Sequence, residues 1–152
     1  MTRANPHLAR WQWMAILAVA TLLLATGAAW LALHYTGGAG AGELPHPLEP
    51  WLMRLHGLAA FGALFMLGVL AGAHIPHGWR HGSRHRRGRQ RGTGVALCAL
   101  GALGVATGYA LYYFAPDTVR PFLGWAHAGV GTAMTALGVF HQRTRSRSTR
   151  LA

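Results

Sequence analysis

The chain has 152 residues, of which 52% are hydrophobic and only 11% charged. An ordinary soluble domain carries roughly 25% charged residues, so a water-soluble globular enzyme is excluded. Fourteen Arg, no Lys and three acids give a formal charge of +11, but a disordered basic tail needs low hydrophobicity and is excluded as well; a membrane protein remains.

Four apolar segments follow one another along the chain: about 11–35, 51–75, 94–114 and 122–141. Each is close to the ~20 residues that a helix needs to cross the hydrocarbon core. They are too long for barrel strands and show no period-two alternation. The first is longer than the ~7–15 residues of a signal-peptide core and reads as a retained helix. Gly and Pro punctuate the breaks at Gly37–Pro50, Pro76–Gly94 and Ala115–Pro121. The expected fold is all-α: an integral membrane four-helix bundle, with residues 1–152 as one transmembrane domain.

Charge sets the expected orientation. Arg3 and Arg10 precede the first segment; Arg80, Arg84, Arg86, Arg87, Arg89 and Arg91 lie between the second and third; Arg143, Arg145, Arg147 and Arg150 follow the fourth. The three acids, Glu43, Glu49 and Asp117, lie in the other two loops and read as exposed residues without an evident partner. The positive-inside rule places both termini and the middle loop in the cytoplasm, with anionic lipid head groups as the partner of the Arg clusters. No nucleic-acid-binding motif accompanies the Arg run. Trp30, Trp51 and Trp125 read as an outer aromatic belt, and Trp11, Trp13 and Trp79 as an inner one.

Gly recurs along the second, third and fourth segments, where small residues let helix backbones approach in lipid. No internal sequence repeat is evident, although the second and fourth segments each carry a His near both ends. Cys98 is the only cysteine.

The ten histidines carry the chemistry. His7, His46, His81 and His85 lie in tails or loops and are assigned no role. Ionisable residues within spans are costly and are functional candidates. His56 lies five residues beyond Trp51, and His127 five beyond Phe122. Both therefore sit ~7–8 Å into helices that run from outside to inside. His74 and His141 lie near the inner ends of the same two helices. In unbroken α-helix, His56 and His74 share a face, as do His127 and His141, because the spacings are near ~5 and ~3.9 turns. The vertical separations, ~27 and ~21 Å, are less equal. His77 is the second choice for the inner position. Two His at one level, repeated at a second, suit two haems with bis-His axial ligation.

The chain has no C-x-x-C-H, so the expected cofactors are two non-covalent haem b groups. Arg54 and Arg120 are candidates for the outer haem's propionates, with snorkelling to head groups as the alternative. Zinc also takes imidazole, but neither level offers a Cys or acid to close a site. His34, at the outer end of the first segment, reads as an interfacial residue, with a quinol pocket or outer ligation as alternatives.

The sequences RLHG at Arg54–Gly57, AHIPHGW at Ala73–Trp79 and TGYALYY at Thr107–Tyr113, with the His127/His141 pair, resemble the small four-helix di-haem membrane cytochromes of bacteria, the cytochrome b561-like group. The resemblance spans about Trp51 to His141. Better-known members also take ligands from the first helix, where this chain has only His34. The resemblance implies electron transfer across or within the bacterial inner membrane, to or from quinol, with a redox protein as the other partner. A carrier or oxidoreductase subunit is expected rather than a stand-alone enzyme. The alternative is a haem-free accessory membrane protein that assembles with partners or handles a metal ion.

Overall fold

The computed structural model describes residues 9–74 and 87–149, with side chains for 9–72 and 92–143. His7, His77, His81, His85, Trp79 and the Arg residues at 3, 80, 84, 86 and 150 lie outside the described residues. The described chain is all-helical: α1 (Arg10–Gly37), α2 (Glu49–Val69), α3 (Arg87–Tyr113) and α4 (Arg120–Thr149). It forms two compact units, Met1–His77 and Gly78–Ala152. α1 packs on α2 in the first unit and α3 on α4 in the second, so each unit is a helical hairpin.

Three helical stretches, Arg10–Ala41, Glu49–Gly72 and Gly92–Tyr113, are long and apolar enough to cross a membrane. α4 is less apolar, because Gly, Thr and two His dilute its stretch from Phe122 to His141, although that stretch holds no Arg, Lys, Asp or Glu. Few apolar side chains are buried: Ala59, Met66 and Ala115 among the described residues. Phe61, Phe65, Tyr112 and Phe122 are each at least 66% exposed. A hairpin that turns its large apolar side chains outward needs lipid or further protein to cover them.

Small residues hold the seam of each hairpin. A Cβ at Gly62 of α2 would lie 3.1 Å from Val19 of α1, so that backbone approach is close. The corresponding distance from Gly104 of α3 to Val130 of α4 is 3.7 Å, ordinary van der Waals contact.

The ends of the helices have local causes. At the start of α1, the Gln12 side-chain oxygen accepts the Ala9 N–H at 2.9 Å, satisfying one of the donors a helix start leaves over. Between α1 and α2 the chain makes a 3₁₀ turn at Ala39–Ala41 and then passes Gly42 at φ +84°, a left-handed conformation that favours glycine. Pro50 stands in the first turn of α2, where its missing N–H costs nothing.

At its C-terminal end α2 passes into a π turn, Leu70–His74. This changes the phase expected for His74. A π turn closes i→i+5 bonds and accommodates an extra residue, so the backbone at His74 comes round about a quarter turn away from the face that an unbroken α-helix gives. The same extra residue adds little rise and brings His74 to ~25 Å from the level of His56.

Both later helices extend beyond their apolar segments. α3 starts at Arg87, inside the Arg-rich stretch, and α4 continues past His141 to Thr149. Arg is a good helix former, and cations favour a helix C-terminus.

Candidate functional site

The two hairpins are built around the same three-residue arrangement. In the first, the Thr26 hydroxyl of α1 lies 2.9 Å from His56 Nδ1 of α2. In the second, the Thr107 hydroxyl of α3 lies 2.8 Å from His127 Nδ1 of α4. Each Thr is followed by a glycine, Gly27 or Gly108. A Cβ at Gly27 would meet His56 Cε1 at 3.3 Å, and one at Gly108 would meet His127 Cε1 at 3.2 Å. Thus Thr holds the imidazole and Gly makes room for it.

The other contacts of each hydroxyl bear on which ring nitrogen carries the proton. A threonine hydroxyl has one proton. Thr26 donates its proton to the Leu22 carbonyl at 2.6 Å, and Thr107 donates to the Leu103 carbonyl at 2.8 Å. Both are the i−4 back-bonds usual for Thr within a helix. With that back-bond made, the hydroxyl oxygen is placed to accept from an imidazole protonated on Nδ1. In that tautomer Nε2 carries the lone pair, one of the two forms in which neutral histidine ligates a metal. His56 and His127 are half-buried, and Thr26 is buried.

A third pair lies at the other end of the second hairpin, where the Thr93 hydroxyl is 2.6 Å from His141 Nδ1. Thr93 precedes Thr107 by fourteen residues on α3, and His141 follows His127 by fourteen on α4. Both His therefore reach the same neighbour, α3, and the shared face expected from their spacing is present. In the first hairpin the position fourteen residues before Thr26 is Gln12. His74 stands at the end of the described stretch, on the π turn.

The two arginines with expected propionate roles have local contacts. The Arg120 guanidinium donates to the Leu111 carbonyl at 3.3 Å and to the Ala115 carbonyl at 2.8 Å, and lies 3.6 Å from Asp117. It closes the C-terminus of α3 and the turn that follows. Arg54 lies over the Trp51 ring, 4.7 Å from its centroid, on the exposed face of α2. Asp117 thus has a partner that the loop reading does not assign.

Glu49 departs further from its expected loop role. It opens α2 and is buried at 7% exposure. Its carboxylate lies 3.0 Å from His34 Nδ1 and accepts the His46 backbone N–H, also at 3.0 Å. His34 stacks on Trp30 at 4.4 Å and meets the edge of Tyr35. Glu49 therefore fastens the end of α1, the connecting loop and the start of α2 together. His46, expected to have no role, takes part through its backbone and accepts the Leu48 N–H on its own Nδ1 at 3.2 Å. Cys98 is exposed on α3.

Among the described residues no three of His, Cys, Asp and Glu converge on a metal-ion position. His56, His127 and His141 are single imidazoles, each with a hydroxyl at Nδ1. This suits a group such as haem, which brings four equatorial nitrogens and asks the protein for axial ligands alone. The residues fit it: a hydroxyl faces Nδ1 of His56 and of His127, leaving Nε2 on the far side of each ring, and a glycine sits beside each of the two. The three Thr partners are absent from the sequence expectation. The signal for two of them is the Ala-Thr-Gly tripeptide, present at Ala25–Gly27 and again at Ala106–Gly108. Comparisons with known protein families, curated proteins and solved structures find no match for this chain.

Proposed function

We propose that the chain is a b-type di-haem cytochrome of the bacterial inner membrane that carries electrons across or within the bilayer. His56 and His127 are the axial ligands of the outer haem, and His74 and His141 those of the inner one. Bound haem supplies one-electron chemistry by alternating between ferric and ferrous iron. The chain's own residues hold, orient and insulate it. The hairpin seams exclude water, Gly27 and Gly108 leave space at the outer imidazoles, and the long helices cross the bilayer. α4 is the fourth span in this reading, and the Arg-rich ends and middle segment lie in the cytoplasm. Arg54, exposed near the outer end of α2, is the better placed propionate partner, because Arg120 is engaged by the carbonyls of Leu111 and Ala115. Quinol is the proposed membrane-soluble donor or acceptor, with a redox protein on the other side.

One observation supports this most: the same Thr–Gly–His arrangement occurs in both hairpins, with a hydroxyl at Nδ1 in each. Helix packing alone does not require matched His in two hairpins. The test is haem quantification on His56→Ala and His127→Ala proteins. Each is expected to lose one of two haems, the same one, and to retain the other. Unchanged haem content in both variants would refute the ligand assignment.

A further inference from the structure

We infer that Thr26 and Thr107 are positioning residues that set the redox potential of the outer haem by holding both of its ligands in one tautomer. The inference rests on the haem reading above and adds what the two hydroxyls do within it. Three observations carry it. The Thr–His distances are nearly the same in the two hairpins, 2.9 and 2.8 Å. Each hydroxyl also lies within hydrogen-bond distance of a carbonyl of its own helix, at 2.6 and 2.8 Å, and with its proton there it accepts from Nδ1. Each stands next to the glycine over which the ring sits.

Three consequences follow. In hydrocarbon an imidazole N–H without an acceptor is costly, so the hydroxyl stabilises the Nδ1–H tautomer over the alternative. A ring that donates from Nδ1 also acquires imidazolate character, which makes Nε2 a stronger donor to iron. A stronger axial donor favours ferric over ferrous iron, so the two hydroxyls act together to hold the outer potential low. Thr93 faces His141, a ligand of the inner haem in this reading, and so has no part in the outer potential.

Valine is nearly isosteric with threonine but removes the hydroxyl, both the donor to the helix carbonyl and the acceptor at Nδ1, whereas serine keeps both. Thr26→Val and Thr107→Val are therefore compared with Thr26→Ser and Thr107→Ser by potentiometric titration of the purified full-length protein, with haem content measured on every sample. The expected result is that each Val variant raises the potential of the same haem, with the ferric/ferrous ratio at fixed ambient potential changed about tenfold, or ~59 mV for a one-electron couple. The other haem is unmoved, and each Ser variant returns to the wild-type value. A Val variant that loses one haem, where Ser retains it, supports the same role.

Wild-type potentials in both Val variants would overturn the inference, as would single variants that shift different haems. Nitrogen-15 NMR of histidine side chains in haem-free protein separates this from failure of the haem reading. His56 and His127 protonated on Nδ1 support the inference, and protonation on Nε2 overturns it, whether or not the wild type binds haem.

Discussion

Gly108 offers a graded test of the site, because its neighbourhood is defined on one side only. A methyl group there would lie 3.2 Å from His127 Cε1, against an optimum of ~3.5–4.0 Å between carbon atoms. The His127 ring must therefore move by roughly 0.3–0.8 Å to admit alanine. Its bond to Thr107 starts at 2.8 Å, so a movement of that size weakens or breaks it, at about 1 kcal/mol. Replacing Gly by Ala within a helix returns ~1 kcal/mol of propensity. The two effects nearly cancel in stability but not at the ligand. Gly108→Ala is expected to keep its thermal midpoint and to lose affinity for the outer haem by about tenfold, the lower end of the range for disturbed outer-shell partners. Gly108→Val, with two further methyls against the same ring, is expected to lose the outer haem. Gly104→Ala is the control on the same helix, since its Cβ would lie at an ordinary 3.7 Å from Val130. It should gain stability and leave haem binding unchanged. The assay is haem titration into haem-depleted protein, followed by the reduced-minus-oxidised spectrum. Gly108→Val protein with wild-type haem content and spectrum would refute the reasoning.

Other consequences concern the fastenings of each hairpin. Arg120→Gln removes a guanidinium that donates to two carbonyls, and should lower stability by about 1 kcal/mol while leaving both haems in place; loss of the outer haem would restore Arg120 to the propionate site. Glu49→Gln removes the charge that ties His34 and the His46 backbone to the start of α2. Amide exchange over residues 38–48 is expected to quicken, with exchange in α3 and α4 unchanged; wild-type protection of the loop would show that the carboxylate is not what holds it.

What was legible in the sequence follows from what periodicity and apolarity can report. The four helices are visible because each carries a long run of apolar and small residues, enough to cross a membrane in three of them. Their ends are not, because apolarity marks the lipid-facing stretch and not the last helical hydrogen bond. The Arg-rich start of α3 and end of α4 are helical for local reasons of propensity. The spacing of His127 and His141 was readable because α4 is continuous between them. The matching phase for His56 and His74 was not, because a π turn leaves no mark in the spacing of residue types. Glu49 looks like a loop acid next to Pro50, yet Pro in a first turn is a helix-start signal, and the helix begins at Glu49 itself. Thr26 and Thr107 were hidden by their ordinary role of back-bonding within a helix. Only the recurrence of Ala-Thr-Gly in α1 and α3, set beside the His of the following helix, distinguishes them.

The visible absorption spectrum of detergent-purified full-length protein, oxidised and then dithionite-reduced, with pyridine haemochrome quantification against chain concentration, tests the central claim most directly. The expected result is two b-type haems per chain with the reduced spectrum of bis-histidine ligation. A protein expressed with ample haem supply that carries none would contradict the electron-transfer reading and make the paired histidines part of an accessory membrane protein instead.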